Sequence, residues 1–403
     1  MMASLPLGAP LPESGVLDFR TDAVTPFSVY VHIPFCTVRC GYCDFNTYTS
    51  TELRGVTRES FVDDVVAEIE FSASVLAASE VPIRSAHSVF FGGGTPSLLN
   101  SEQIARVIES LRGVHGIDAD AEVTIEANPD TVTPQILEQL SEAGITRVSF
   151  GMQSAVPRVL NLLDRTHDPD RLPEVVRAAR EVGLATSVDL IYGTPTETID
   201  EWHRSLESAI GLNTDHISAY SLIVEDGTAM ARRIARGELP PVDDDVHAEM
   251  YELCDSTLSS VGYQWYEVSN WSKPGFESLH NQAYWNSTDW WGYGPGAHSH
   301  VGGARWWNAK HPAAYAERLS RGSTPGIGHE ILSEPERLFE RTVLQIRVRS
   351  GLRIADIPQV SPGVIPSLIA RGLIDGVEAL AGRLVLTLHG RLLADSVARD
   401  LTS

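Results

Sequence analysis

Short runs of β-branched and aromatic residues recur through the first half of the chain, at 28–33, 88–91, 122–126, 147–150, 186–191 and 216–220. Each reads as a strand. Between them apolar residues fall three and four apart, as with Phe61, Val65 and Ile69 within 61–75, and again over 104–111 and 136–143, which predicts helices. Ser101 before Glu102 and Thr133 before Pro134 supply helix starts, and Gly144 and Gly183 supply stops. Six strand–helix units in succession predict an α/β protein with a parallel sheet, because a parallel strand needs a long, right-handed crossover. The pattern fits equally a flat doubly wound sheet and a curved, incomplete (β/α) barrel.

The rest of the chain differs in texture. Residues 1–26 are rich in Pro, Gly and Ala without periodicity, and read as a disordered leader. The strand–helix units fill 27–240. A helix over 243–258 opens a Trp- and Gly-rich extension, 241–329, which holds seven of the eight tryptophans between Trp265 and Trp307. These large aromatics are expected mostly to fill core layers. Residues 330–403 read as a helix over 335–349, a helix over 365–371, a hairpin over 373–388 turning near Gly382, and a last helix. That order resembles a winged helix.

Charge narrows the partners. The 403 residues carry 53 acidic and 31 Lys or Arg side chains, a net charge of −22. Such a field repels phosphate backbones, so no nucleic-acid partner is expected. The 330–403 segment has nine charges of each sign, which places the whole excess in 1–329 and makes the winged-helix-like segment a packing unit. The longest apolar runs, such as 384–388, are too short to cross a bilayer, and residues 1–19 lack a basic residue and an apolar core, so neither membrane insertion nor secretion is expected. A soluble, cytoplasmic protein is expected.

Of four cysteines, Cys36, Cys40 and Cys43 lie within eight residues, directly after the first strand. In a reducing compartment such clustering indicates metal binding or catalysis, while the isolated Cys254 reads as a buried apolar filler. Thiolates suit iron–sulfur clusters or zinc. Three thiolates on one tight loop, with no second Cys pair, favour a four-iron cluster with one iron left open. A zinc knuckle completed by His32 is the alternative. The second strand ends in Gly92-Gly93-Gly94-Thr95-Pro96, where bare backbone can approach a ligand; it is neither a P-loop nor a dinucleotide fingerprint.

The run from Tyr30 through Cys36, Cys40 and Cys43, followed by Gly-Gly-Gly-Thr-Pro, resembles the radical S-adenosylmethionine (SAM) superfamily. Within it the chain is most similar to the group of oxygen-independent coproporphyrinogen oxidases and their haem-chaperone relatives. Further motifs occur in order: Ile125-Glu126-Ala-Asn-Pro-Asp130, Gly151-Met-Gln153-Ser, Leu163-x-Arg165-Thr-His167 and Val188-Asp189-Leu-Ile-Tyr-Gly193-x-Pro195. The resemblance, which covers residue 28 to the C-terminus, implies a partial (β/α)6 radical SAM barrel. It also implies a [4Fe–4S] cluster on the three cysteines, with SAM chelating one iron. Gly93, Gly94 and Thr95 would hold the amino-acid end of SAM and the backbone of Tyr42 would lie near its adenine. Tyr30, Glu126, Gln153, Arg165 and Asp189 match further SAM-binding positions. The cysteine loop, Gly92–Thr95, Glu126, Gln153, Asp189 and the Ser221 region lie at or just past strand carboxyl ends, where (β/α) barrels bind ligands. The chemistry implied is reductive cleavage of SAM to a 5′-deoxyadenosyl radical.

Two departures separate the chain from the oxidases. They carry a further Cys two residues after the last cluster Cys, where this chain has Phe45, and they have an N-terminal substrate-binding segment where only about 26 residues precede the first strand here. Both point to the haem-chaperone branch. So does a second signature, His280-Asn281-x2-Tyr284-Trp285, then Gly292-x-Gly294-x-Gly296-Ala-His298-Ser299 and Arg305-x2-Asn308. His280 is a candidate axial haem ligand, flanked by rings that could stack on a porphyrin, with His298 and His300 as competitors. The expected partners are haem and a haem-acceptor protein, membrane-associated or not, and a homodimer is left open. An oxidase that converts two propionates of coproporphyrinogen III to vinyls, and a related radical SAM methylase, are the enzymatic alternatives.

Overall fold

A computed structural model describes residues 8–18, 21–49, 52–357 and 360–402. Six parallel strands lie side by side in chain order: β1 (Phe27–Ile33), β2 (Ala86–Gly93), β3 (Ile117–Ala127), β4 (Arg147–Gln153), β5 (Ala185–Tyr192) and β6 (His216–Ser221). The crossovers carry helices α1 (Arg58–Ala78), α2 (Ser101–Val114), α3 (Pro134–Ala143), α4 (Pro157–Leu162), α5 (Leu172–Glu181) and α6 (Ile199–Gly211). The sheet stays open but wraps one cavity lined by Phe90, Thr124, Arg147, Ser187 and His216 from five neighbouring strands, while the helices pack on its other face, as in a partial barrel and not in a flat doubly wound sheet. It continues past β1 through β7 (Asp289–Tyr293), parallel to β1, and then through antiparallel strands to Gly326–Ile331. Beyond β6 it ends in Asn270–Ser272 and Gln264–Glu267.

Alternation along the strands decides what each face does. Val29, Val31, Val89, Phe91, Val123, Ile125, Val148, Phe150, Val188 and Leu190 form the core under the helices. The opposite face carries Ser28, Ser88, Glu122, Thr124, Arg147, Ser149, Ser187 and His216, all buried. A polar inner face does not collapse into a dry barrel core, and it leaves room for ligands at the strand ends.

One end of this half-barrel is plugged by α7 (Leu279–Trp285). Its first turn is held by Glu122 of β3, whose carboxylate accepts from Ser278 Oγ at 3.0 Å, Leu279 N at 3.1 Å and His280 N at 3.3 Å. Arg147 of β4 pairs with the same carboxylate at 3.1 Å.

Three expectations need correction. The stretch read as a disordered leader is packed where it is described: Ala9–Pro10 pairs with Gly326–Ile331, and Leu11 and Leu17 are buried. Leu11 occupies the space a side chain at Gly326 would need, a tertiary fit that composition does not reveal. Asn100, not Ser101, caps α2, accepting from Gln103 N while Gln103 returns a bond to Asn100 N. The hairpin over 373–388 is interrupted by a helix at Gly376–Leu380, and Arg383–Leu384 pairs with Leu352–Arg353 instead. An Ile374–Leu386 bridge remains of it. Residues 346–401 enclose their own small core around Leu352, Leu368, Leu384 and Val397.

The extension is locked to the barrel by a buried pair. Arg84, just before β2, reaches Asp289 of β7 at 2.8 Å, with both side chains 5% exposed. Asp289 also accepts from Thr21 Oγ1 at 2.6 Å and Gly302 N at 2.9 Å. Asp289→Ala strands the Arg84 cation and two further donors, so it should lower stability by about 3–5 kcal/mol. Urea unfolding checks this; a loss under about 1 kcal/mol would mean water reaches Arg84.

Candidate functional site

The cysteine loop leaves β1 at Ile33 and is closed at its base by main-chain pairing. Cys36 N donates to Tyr48 O at 2.9 Å and Tyr48 N to Pro34 O at 2.7 Å. Asn46 ties the loop to the extension, its Nδ2 donating to Pro295 O at 3.0 Å and Lys310 O at 2.8 Å. The three thiols therefore stand on a braced loop. Burial pushes the Cys36 and Cys43 thiols upward, an effect that a bound cation would reverse. Thr95 Oγ1 lies 3.8 Å from Cys36 Sγ and Arg165 Nη1 3.7 Å from Cys40 Sγ, so each of these sulfurs has a donor beside it.

The zinc-knuckle alternative loses its fourth ligand. His32 has Nδ1 bonded to Tyr30 OH at 2.9 Å and Nε2 to Asn46 O at 3.0 Å, leaving neither nitrogen free. The donor set on this loop is three thiols.

Beside the loop lies a cavity of about 540 Å³, within the ~300–1,000 Å³ usual for ligand pockets. Cys36, Cys40, Tyr42, Cys43, Gly93, Gly94, Thr95, Glu126, Gln153, Arg165 and Asp189 all line it. The glycines also have a packing task beside the ligand-facing one expected of them. A Cβ on Gly93, at φ +111°, would strike the His32 ring at 2.6 Å, and one on Gly94 would strike Phe35 O at 2.5 Å. Their bareness lets the end of β2 lie against the cysteine loop. There Gly94 N donates to Ile33 O and Thr95 N to Phe35 O, both at 2.7 Å, and Gly93 N donates to Glu126 Oε2 at 3.1 Å.

Glu126 is pushed up to about 8, by burial first and by the neighbouring Asp189 second, with the Gly93 N–H opposing both. Burial also raises Asp189, although Ser149 Oγ lies 3.1 and 3.0 Å from its two oxygens. Gln153 follows a bulge in β4 and takes φ +56°, a strained backbone for a non-glycine, and its buried Oε1 has no partner. Arg165 donates to Gly151 O at 3.1 Å while its buried Nε has none. Carboxyls raised by burial beside unpartnered amide and guanidinium groups fit a polar, zwitterionic ligand such as SAM, and the adjacent thiols fit its cluster.

Two expected residues stand elsewhere. Tyr30 does not line the cavity; its hydroxyl is committed to His32. His280 is buried beneath the Phe90 ring, 5.0 Å between centroids, with Nδ1 on Ser88 Oγ at 3.0 Å and Nε2 on Tyr284 OH at 3.2 Å. Burial drops its imidazole to about 3, and both nitrogens are engaged, so as it stands it offers no lone pair to a haem iron. His300 is also buried, whereas His298 is exposed, its ring 5.9 Å from that of Trp307. Conversely, Thr124, Arg147, Ser187, His216 and Ser218 line the deep part of the cavity and lie outside the sequence motifs. Polar alternation inside the strand runs was the available signal.

Residues 30–209 match the family model of the Radical SAM superfamily. Over 377 residues the chain is 47% identical to "Heme chaperone HemW" of Mycobacterium tuberculosis strain H37Rv, covering 93% of this chain and 95% of that protein. It is 33% identical over 382 residues to "Heme chaperone HemW" of Bacillus subtilis strain 168, covering 92% and 97%. The fold matches coproporphyrinogen III oxidase (HemN) of Escherichia coli, a radical SAM enzyme, with a TM-score of 0.78 at 26% identity, covering 94% of this chain and 90% of that one. The chain belongs to the radical SAM superfamily and, within it, to the family of the heme chaperone HemW.

Glu126 sets a pH signature for the protein without its cofactors. Its pKa is about 8 in the fold and near 4.5 when unfolded, so its favourable contribution is complete below pH 4.5 and is lost as pH rises through 8. Glu126→Gln has no such loss. The stability of the variant relative to the wild type should therefore climb between pH 5 and 8 in thermal or urea unfolding, and a pH-independent difference would refute the assignment.

Proposed function

We propose that this protein is a haem chaperone: it carries a [4Fe–4S] cluster and SAM, takes up haem and passes it to an acceptor protein. The observation that carries the reading is the likeness, over more than nine-tenths of the chain, to proteins named heme chaperone, joined to Phe45. That side chain, 59% exposed at the rim of the cavity, stands where the oxidases would place another thiol. Cys36, Cys40 and Cys43 would hold three irons, and SAM would complete the fourth. Gly93, Gly94 and Thr95 would receive its amino-acid end, Tyr42 would lie near the adenine, and Glu126, Gln153, Arg165 and Asp189 would fix it from the strand ends. A reduced cluster supplies the electron for cleaving a carbon–sulfur bond of SAM. The protein's own part is to brace the loop, place donors on the sulfurs and exclude water.

The likeness in fold to the oxidase HemN supports a second reading, decarboxylation of coproporphyrinogen III. An anaerobic assay with reconstituted protein, reductant, SAM and coproporphyrinogen III separates the two. No protoporphyrinogen beside an active oxidase control is expected, and product formation would overturn the chaperone reading. Cys40→Ala should lose the brown colour of the reconstituted cluster, and retention of full colour would remove Cys40 from the ligand set.

Haem, the cargo, is placed by this reading on the exposed imidazole of His298, with Trp307 alongside. His298→Ala should weaken stoichiometric haem binding at least ~10-fold in a spectroscopic titration, as expected for loss of an axial ligand. His280→Ala should leave it unchanged. The reverse outcome would return ligation to His280 and require α7 to open. The acceptor, at the membrane or in the cytoplasm, would meet this same face, and a homodimer would have to leave it free.

A further inference from the structure

Below the residues assigned to SAM, the cavity continues to a floor that the chaperone reading leaves idle. Thr124 lies two residues before Glu126 on β3 and Ser187 two before Asp189 on β5, which puts them about 6–7 Å deeper along the strands. Strand register sets Thr124 beside Arg147, and Ser187 beside His216. Thr124, Arg147 and His216 are 1%, 6% and 3% exposed and all line the cavity.

Each holds a polar atom with no partner: Thr124 Oγ1, Arg147 Nε and His216 Nδ1. The rest of Arg147 is satisfied. Its Nη1 donates to Ser187 Oγ at 3.3 Å, and its Nη2 to Phe276 O at 2.9 Å and to Glu122 at 3.1 Å. The His216 tautomer follows from its other contact. Tyr266 OH accepts from Ser278 N at 3.3 Å and lies 2.8 Å from His216 Nε2. Giving its proton to that nitrogen is the arrangement that uses both its lone pair and its hydrogen, and it assigns Nε2 as the acceptor. Burial, and then the Arg147 charge, keep the imidazole neutral, so its own proton sits on Nδ1. The floor therefore presents an Arg N–H, an imidazole N–H and a hydroxyl, all donors and all idle.

We infer that this floor is a second small-molecule site, which takes an acceptor-only oxygen, a carboxylate or an amide carbonyl, of an organic ligand lying between it and SAM. Left to the protein alone, three buried donors go unpaired, at a cost that natural interiors avoid. An oxygen acceptor answers the Arg147 N–H and the Thr124 hydroxyl, which are register neighbours, with the His216 N–H two strands away on the same floor, and the Glu122–Arg147 pair leaves the anchor without excess positive charge. A ligand held there by one end has its other end directed to the strand ends, where the SAM residues stand. The inference rests on the cavity and not on haem delivery.

The probes are ¹³C-labelled acetate and acetamide, titrated by NMR line broadening against the cluster-loaded protein without haem, with methylammonium as the donor-only control. Saturable binding of at least one oxygen probe and none of methylammonium is expected. Thr124→Val keeps the shape and removes the hydroxyl, and Arg147→Lys keeps the charge facing Glu122 and removes the Nε–H. Each should weaken binding roughly fivefold or more. No saturable binding, or affinity unchanged in Thr124→Val, would overturn the inference and leave the floor to ordered water, whatever the haem titration shows. Preference for acetate over acetamide would assign the carboxylate, and the converse the amide.

Discussion

The buried pair of Glu122 and Arg147 turns an open sheet into a cup. A parallel sheet bent through six strands has two open ends and no reason of its own to close either. Glu122 points into the concave side and receives the first amides of α7, while Arg147 neutralises it and reaches Phe276 O in the segment leading to that helix. Two charges in a low-dielectric interior are tolerable only when most of their remaining donors and acceptors are filled. The start of the plug helix fills those of Glu122, and Ser187 and Phe276 O take the Arg147 Nη groups, leaving only its Nε to the cavity. The same demand makes the inner face polar along its length. A floor built from a charged pair needs hydroxyls and imidazoles around it, and these keep the cavity from collapsing.

At the other end of the strands the constraint is proximity. The cysteine loop must lie against the end of β2 for its thiols to overhang the cavity, and two glycines permit this by presenting no Cβ to His32 and Phe35. Asn46 then couples the loop to the 295–310 segment, and Glu68 of α1 anchors that segment, accepting from Gly294 N at 2.8 Å and Asn308 Nδ2 at 2.7 Å. The Trp- and Gly-rich extension is thus part of the cysteine site's scaffold. Its Gly292-x-Gly294-x-Gly296 run follows the same logic, since a Cβ at Gly294 would meet His32 O at 2.5 Å.

Local signals account for what the sequence revealed. Strand and helix periodicities are repeated many times over and survive any tertiary detail, so the six β–α units and the carboxyl-end placement of Cys36, Glu126, Gln153 and Asp189 were readable. What escaped depended on partners distant in sequence. Leu11 is buried by a gap at Gly326, and the 376–380 turn of helix displaced an expected hairpin whose pairing strand comes from 352–353. His280 sat in a suggestive motif, but its chemistry is set by Ser88 on one side and Tyr284 on the other, and only the first is remote. Thr124, Arg147 and His216 were passed over because single polar residues in strand runs look like edge positions until the sheet is curved around them.

The polarity of the cup also bears on how SAM and haem can share one chain. A porphyrin is a broad apolar disc, and placing it among Glu122, Arg147, Ser149 and His216 would strip their hydrogen bonds without replacing them. The cup suits SAM and small polar molecules. Strand register carries its inner face beyond β1, with Ser28 beside Trp290 of β7 and Trp290 beside His300, and places His298 opposite Trp307. On the proposed reading haem lies on this aromatic continuation, outside the cup and across the braced cysteine loop from SAM. Any influence of SAM or the cluster on haem would then pass through the cysteine loop that Asn46 ties to the extension carrying His298, as a coupling between two sites and not as a reaction within one.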